Sequence, residues 1–212
     1  MRTDDLIQAL VQDTTAREAS LTARMSTALL LGGAVAAVLF AMTLGIRPDI
    51  ADALHTGRFP LKFALTLLCA LSALSATIRL AHPDARLPDV ATVLAAAPIL
   101  LAAAVGVELL VVPPANWAAR AVGSNSRVCL AAIPLLSIAP LIGVLAALRA
   151  GAPRSPTVAG AVGGLLAGAL GATLYATHCP DDSPLFVAIW YTLGLALVAV
   201  AGALAGRRVL RW

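Results

Sequence analysis

MSTALLLGGAVAAVLFAMTLG, residues 25–45, runs for twenty-one positions without one charged side chain. Wound as a helix rising about 1.5 Å per residue it is about 30 Å long, the thickness of a bilayer's hydrocarbon core. Five further runs of about that length, almost wholly apolar, follow at 61–80, 90–112, 128–148, 157–177 and 185–205. Short connections rich in Pro, Gly or charge divide them: RPDIADALHTGRFP, AHPDAR, PPANWAARAVGSNSR, RAGAPRSP and CPDDSP. The fold class expected is all-α, a six-helix transmembrane bundle over 25–212, preceded by a short segment over 1–24.

Composition agrees. Sixty per cent of the chain is apolar, 12% is charged and the mean hydropathy is +0.90, far too little charge for a water-soluble domain of this length. Aromatic residues are 4%, and Ala, Leu and Val dominate, which suits helices approaching closely in lipid. Long unbroken apolar runs also argue against a barrel, whose strands alternate over about ten residues. The first 24 residues lack an apolar core of their own, so no cleavable signal peptide is expected and the first membrane helix must do the targeting.

Sidedness follows from the arginines, because short cytoplasmic loops hold an excess of basic residues. With the N-terminus inside, the cytoplasmic segments hold Arg2, Arg17, Arg24, Arg79, Arg86, Arg149, Arg154, Arg207, Arg208 and Arg211. The opposite face keeps Arg47, Arg58, Lys62, Arg120 and Arg127, with Asp181 and Asp182 in a loop that has no basic residue. Both termini are therefore expected in the cytoplasm. Trp117, Trp190 and Tyr191 fall near the outer interface and Trp212 near the inner one, as belt aromatics do.

The fifth run carries Gly160, Gly164, Gly168 and Gly171 at near four-residue spacing, a face that admits a close backbone. Packing inside the bundle is the expected use, and a homo-oligomer interface the alternative. Residues 3–16, TDDLIQALVQDTTA, read as an amphipathic helix. Thr3 is placed to cap it, Asp4 and Asp5 suit its N-terminus, and Leu6, Ile7, Leu10 and Val11 form one stripe. Such a stripe needs a partner: its own bundle, the membrane surface or a groove on another protein. Its acidic start disfavours the membrane surface.

Three cysteines are separated by this topology. Cys69 lies mid-membrane, where a thiol is a small inert hydrophobe. Cys129 opens the fourth run from outside and Cys179 follows the fifth at the same face, in the compartment where disulfides persist. The pair is open to several readings: a disulfide, a soft-metal site of Cys129 and Cys179 with His178 beside them, or two unrelated thiols. A quinone-linked disulfide oxidase needs two outward pairs and is excluded. Glu108 is the best support for a transporter of small solutes or ions, although it lies one turn before Pro113 and Pro114 rather than at mid-depth. Apart from it the bundle is expected to bury no charge. No Ser/His/Asp set, HExxH or glycine-rich phosphate loop is present, so neither an enzyme nor a resident cofactor is expected.

Three stretches resemble the NrsF family of six-helix inner-membrane anti-sigma factors: TDDLIQAL at 3–10, RVCLAAIPLLSIAPL at 127–141, and LRAGAPRSPTVAGAVGGLLAGALGATLYATHCPDDSPLFVAIWY at 148–191. The closing GRRVLRW is in character too. The resemblance implies a regulator in the bacterial inner membrane whose cytoplasmic segment, through Thr3, Asp4, Asp5, Leu6, Ile7 and Leu10, holds an extracytoplasmic-function sigma factor away from RNA polymerase. It implies lipid around the bundle and no direct contact with nucleic acid. It also implies that Cys129 and Cys179 sense oxidising metals such as chromate, or cadmium, by oxidation or ligation.

Overall fold

The computed structural model describes residues 20–211, together with Thr3 and Gln8, which are helical and exposed. Asp4, Asp5, Leu6, Ile7, Leu10 and Val11 lie outside the described residues, and so does Trp212. No strand occurs among the described residues. Six helices are long and apolar enough to cross a membrane: α1 (Leu21–Thr43), α2 (Arg58–Leu80), α3 (Leu87–Val111), α4 (Ser126–Leu148), α5 (Pro156–Ala176) and α6 (Pro184–Val209). All six expected spans are present, each shifted by a few residues at its ends. Two of the connections carry short helices, Ile50–Leu54 and Trp117–Val122.

Local chemistry sets the ends. Ser20 caps α1 by accepting from Ala23 N at 3.2 Å, Ser155 caps α5 through Val158 N at 3.4 Å, and Ser183 caps α6 through Leu185 N at 3.3 Å. Pro156 and Pro184 occupy the first helical positions of α5 and α6, where a missing N–H costs nothing. Inside helices proline acts differently. Pro98 cannot donate to the Leu94 carbonyl, and α3 is interrupted just there, at Ala95. Pro134 and Pro140 interrupt the ladder of α4 in the same way. The backbone of α1 fits against the second of them: a Cβ on Gly32 would lie 2.8 Å from Pro140 Cα. Along α6, one wide π turn spans Val187–Tyr191.

The most enclosed helix is α5, which packs against α6, α4 and α2. α1 lies on α4, and α3, the most exposed, leans on α2. The contact between α5 and α6 is made by backbone, because a Cβ on Gly164 would meet the Val198 carbonyl at 2.5 Å and one on Gly206 the Pro156 carbonyl at 2.7 Å. Gly160 and Gly202 face each other more closely still. Gly171 turns toward α4 instead, against Ser137 Oγ. The glycine face of α5 is thus used within the chain, and α6 answers it with Gly202 and Gly206, four residues apart.

Two apolar cores fill the bundle. One, around Met25, Leu80, Leu148, Leu166 and Leu210, lies at the end where α1 begins and α6 finishes. The other, around Phe40, Ile133, Tyr175, Phe186 and Tyr191, lies at the opposite end and contains Cys129 and Cys179. Leu30, Met42, Leu110 and Val111 point outward and are largely exposed, so the outer surface of the bundle is apolar.

Candidate functional site

Cys129 is the fourth residue of α4, and Cys179 stands three residues beyond the end of α5. The structure brings them into one cluster, where both side chains are 0% exposed and within electrostatic reach of each other. Both thiols are free. Tyr175, Phe186 and Tyr191 surround them, with the two tyrosine rings 5.8 Å apart. The Tyr191 hydroxyl, buried in this cluster, has no hydrogen-bond partner among the described residues. Burial pushes the Cys179 thiol above its ordinary ionisation range, while the nearby Lys62 ammonium pulls it the other way. Cys179 at neutral pH is therefore a thiol, a weak nucleophile and a weak ligand, as long as its surroundings stay closed.

The segment Cys179-Pro180-Asp181-Asp182-Ser183 is held by several polar ties. Asp181 accepts from the backbone N–H groups of Ser124 and Asn125 at 3.0 Å and 2.8 Å, at the start of α4, where a negative charge is favoured. Asp182 pairs with Lys62 Nζ at 2.5 Å and with Arg47 Nη1 at 2.8 Å. The same two cations donate to the Cys179 carbonyl, at 2.7 Å from Lys62 and 3.3 Å from Arg47. The Phe59 ring supports both, at 5.5 Å and 5.7 Å from its centroid. Arg47 also grips Asp49 at 2.7 Å, and its backbone N–H donates to the Thr177 carbonyl. Gly123, at φ +61°, lets the chain pass over this segment: a Cβ there would lie 2.5 Å from the Phe186 ring and 2.8 Å from Asp181 Cγ.

Lys62 is 1% exposed and Arg47 8%, which corrects the expectation that the bundle buries no charge besides Glu108. The error has a physical source. Asp181 and Asp182 have no basic neighbour in their own loop, so two acids had to find partners elsewhere, and RFPLKFALTLL places a lysine inside an apolar run. These two signals concern Lys62 and Asp182, and nothing of the kind marks Arg47.

Glu108 sits at a second junction. Its carboxylate, 5% exposed, accepts from Arg58 at 3.1 Å, from Arg120 at 2.9 Å and from the Ser183 hydroxyl at 3.2 Å. It thereby ties α3 to the start of α2, to the short helix Trp117–Val122 and to the cap of α6. Trp190 Nε1 adds a tie to the Ala121 carbonyl at 2.9 Å. A residue with three partners serves as a clamp and offers little to a passing ion. Glu108→Ala should cost about 1–3 kcal/mol, the range for charged hydrogen bonds discounted for the partial exposure of both arginines. Thermal unfolding in detergent measures it.

His178 has a partner of its own: Nδ1 lies 3.0 Å from the Gly45 carbonyl, a contact that requires the hydrogen on that nitrogen. No group of three or more His, Cys, Asp or Glu side chains fit to hold a metal occurs among the described residues. Cys69 lies apart, half-buried, beside a crevice between α2, α3 and α6.

Comparison with known proteins gives one consistent result. The family model NrsF, described as negative regulator of sigma F, matches residues 10–212. A protein of Azospira oryzae described as "Probable anti-sigma-F factor NrsF" is 33% identical over 213 residues, covering all of both chains. The "Anti-sigma-F factor NrsF" of Caulobacter vibrioides is 35% identical over 215 residues, again with full coverage of both. No solved structure matches.

Proposed function

We infer the function from the family to which this chain belongs, the NrsF negative regulators of sigma F: it is an anti-sigma factor held in a membrane. The observation that carries this reading is likeness over the whole length of two anti-sigma-F factors, which takes in the N-terminal segment and the bundle alike. The chain works by binding and carries out no catalysis of its own. It lies in the bacterial inner membrane with the basic loops and both termini in the cytoplasm, by the excess of arginine on that side. An extracytoplasmic-function sigma factor docks on the N-terminal segment through Leu6, Ile7 and Leu10, with Asp4 and Asp5 facing its basic residues. Sequestered at the membrane, it cannot reach RNA polymerase.

At the other end Cys129 and Cys179 are the sensor. In the oxidative route two thiols give two electrons to an oxidising metal species such as chromate and two protons to water, and form one S–S bond. In the ligation route they lose two protons and hold a soft metal ion. Either change acts where α4 begins and α5 ends. Helix α5 touches α2, α4 and α6, and the connection that leads into it is tied to the residue after α2 by Ala152 N donating to the Ala81 carbonyl at 2.9 Å, which gives a shift at Cys179 a route to the cytoplasmic loops. Moving sigma from mostly bound to mostly free takes roughly 3–5 kcal/mol of differential stabilisation, which a thiolate–metal site or a disulfide couple supplies. Glu108, engaged by Arg58, Arg120 and Ser183, gives the competing transporter reading no free ionisable group to use.

The docking surface is tested by capture. Leu6→Glu with Leu10→Glu should abolish co-purification of sigma and leave its regulon constitutively on. Undiminished capture would place the docking surface elsewhere, on the basic cytoplasmic loops.

A further inference from the structure

A thiol sensor must be reached by what it senses, yet both thiols are 0% exposed. On the solvent side of the segment that carries Cys179 lies an open cavity of about 660 Å³, bordered by Arg58, Asn116 and Arg120 and floored by Pro180, Asp181, Asp182 and Ser183. A small solute in that cavity lies against Pro180, the residue that follows Cys179. Beside the apolar packing of Cys179, ionic ties hold the segment shut: Lys62 and Arg47 grip the Cys179 carbonyl and the Asp182 carboxylate together, and Asp181 is pinned to the start of α4.

We propose that residues 179–183 form a lid over Cys129 and Cys179, that Lys62 is the residue that keeps it closed, and that thiol-reactive solutes enter from the adjoining cavity when this grip is released. The proposal rests on the sensor reading above and names how that site is regulated. Lys62 is suited to the part because it comes from α2, a different element from either cysteine, and is itself fully buried with three partners on the lid, the Cys179 and Asp181 carbonyls and the Asp182 carboxylate. Removing one partner of such a buried pair leaves the other charge uncompensated, so the lid opens to water instead of closing over the vacancy. The grip also draws Asp182 and the Cys179 carbonyl to the same ammonium, which fixes the thiol's direction along with its cover.

The test uses the full chain with Cys69→Ser and Cys129→Ser, leaving Cys179 as the reactive thiol, in membranes broken open so that both faces meet a charged maleimide. Cys179 should label slowly in this parent. Asp182→Asn, close in shape, and Lys62→Met should each label roughly tenfold faster, the rate following the population of the open lid. Lys62→Arg, which keeps a cationic donor toward the carbonyl, should restore slow labelling. Were Lys62→Met not to accumulate, Asp182→Asn decides alone. Labelling no faster than the parent in Asp182→Asn overturns the lid. In the chain with all three cysteines, Asp182→Asn should also lower the dose of oxidant that frees sigma. Faster labelling with an unchanged dose upholds the lid and sinks the sensor reading instead.

Discussion

Gly160→Leu is expected to break the bundle. In the native chain a Cβ at this position already meets the Gly202 carbonyl at a distance no real Cβ tolerates, and Gly206 Cα at 2.9 Å. Those neighbours are backbone and cannot rotate away, so α5 and α6 must part along their tightest contact. The cost sits at or above the upper end of the roughly 1–3 kcal/mol typical of overpacking, a large fraction of a stability of about 5–15 kcal/mol. Gly202→Leu should do the same from the other helix. Gly33→Ala and Gly106→Ala are the contrast, because nothing lies within 4 Å of an added Cβ at either. Each should be neutral or gain about 0.5–1 kcal/mol from better helix propensity. Yield after detergent extraction and the thermal midpoint read all four, and equal behaviour across them would refute backbone packing as the cause.

Cys129→Ser combined with Cys179→Ser is expected to leave sigma bound at its resting level and to abolish its release by chromate or cadmium. Serine keeps the small volume in a cluster where both side chains are fully enclosed, and it neither forms a disulfide nor binds soft metals. Cys69→Ser should change neither binding nor release, because Cys69 lies apart from that cluster. The comparison is made with a reporter of the sigma regulon before and after metal exposure. A full response in the double variant would remove the sensing role from these two cysteines.

The six spans were legible because one property, unbroken apolar length, decides them: a bilayer demands it of every crossing segment. The glycine face of α5 was legible for a related reason, since four-residue spacing of small residues has one geometric use. Its counterpart on α6 was harder to see, because Gly194, Val198, Gly202 and Gly206 include one larger residue and the glycines stand among many alanines. Cys129 and Cys179 could be assigned to one end of the bundle from topology alone. That they enter a single buried cluster depends on the packing of α4, α5 and α6.

The ionic frame around them was not legible as a unit. Arg47, Lys62 and Asp182 stand far apart in the chain and become one site when α1, α2 and the end of α5 meet. Glu108 was noticed as an ionisable residue near a membrane boundary, but its three partners come from three different elements, and spacing along the chain carries no trace of them. The break of α3 at Ala95 was readable in principle from Pro98, four residues beyond the Leu94 carbonyl it leaves unpaired.

The central claim, that the state of Cys129 and Cys179 sets whether sigma is held, has one direct measurement. Cells are exposed to graded chromate or cadmium, quenched in acid, and divided: one half is denatured and alkylated to count free thiols at the two positions, the other is solubilised to quantify sigma co-purified with the chain. Bound sigma is expected to fall in step with free Cys129 and Cys179 across the whole dose range, with Cys69 unchanged. Sigma released while both thiols stay free, or retained after both are consumed, would contradict it.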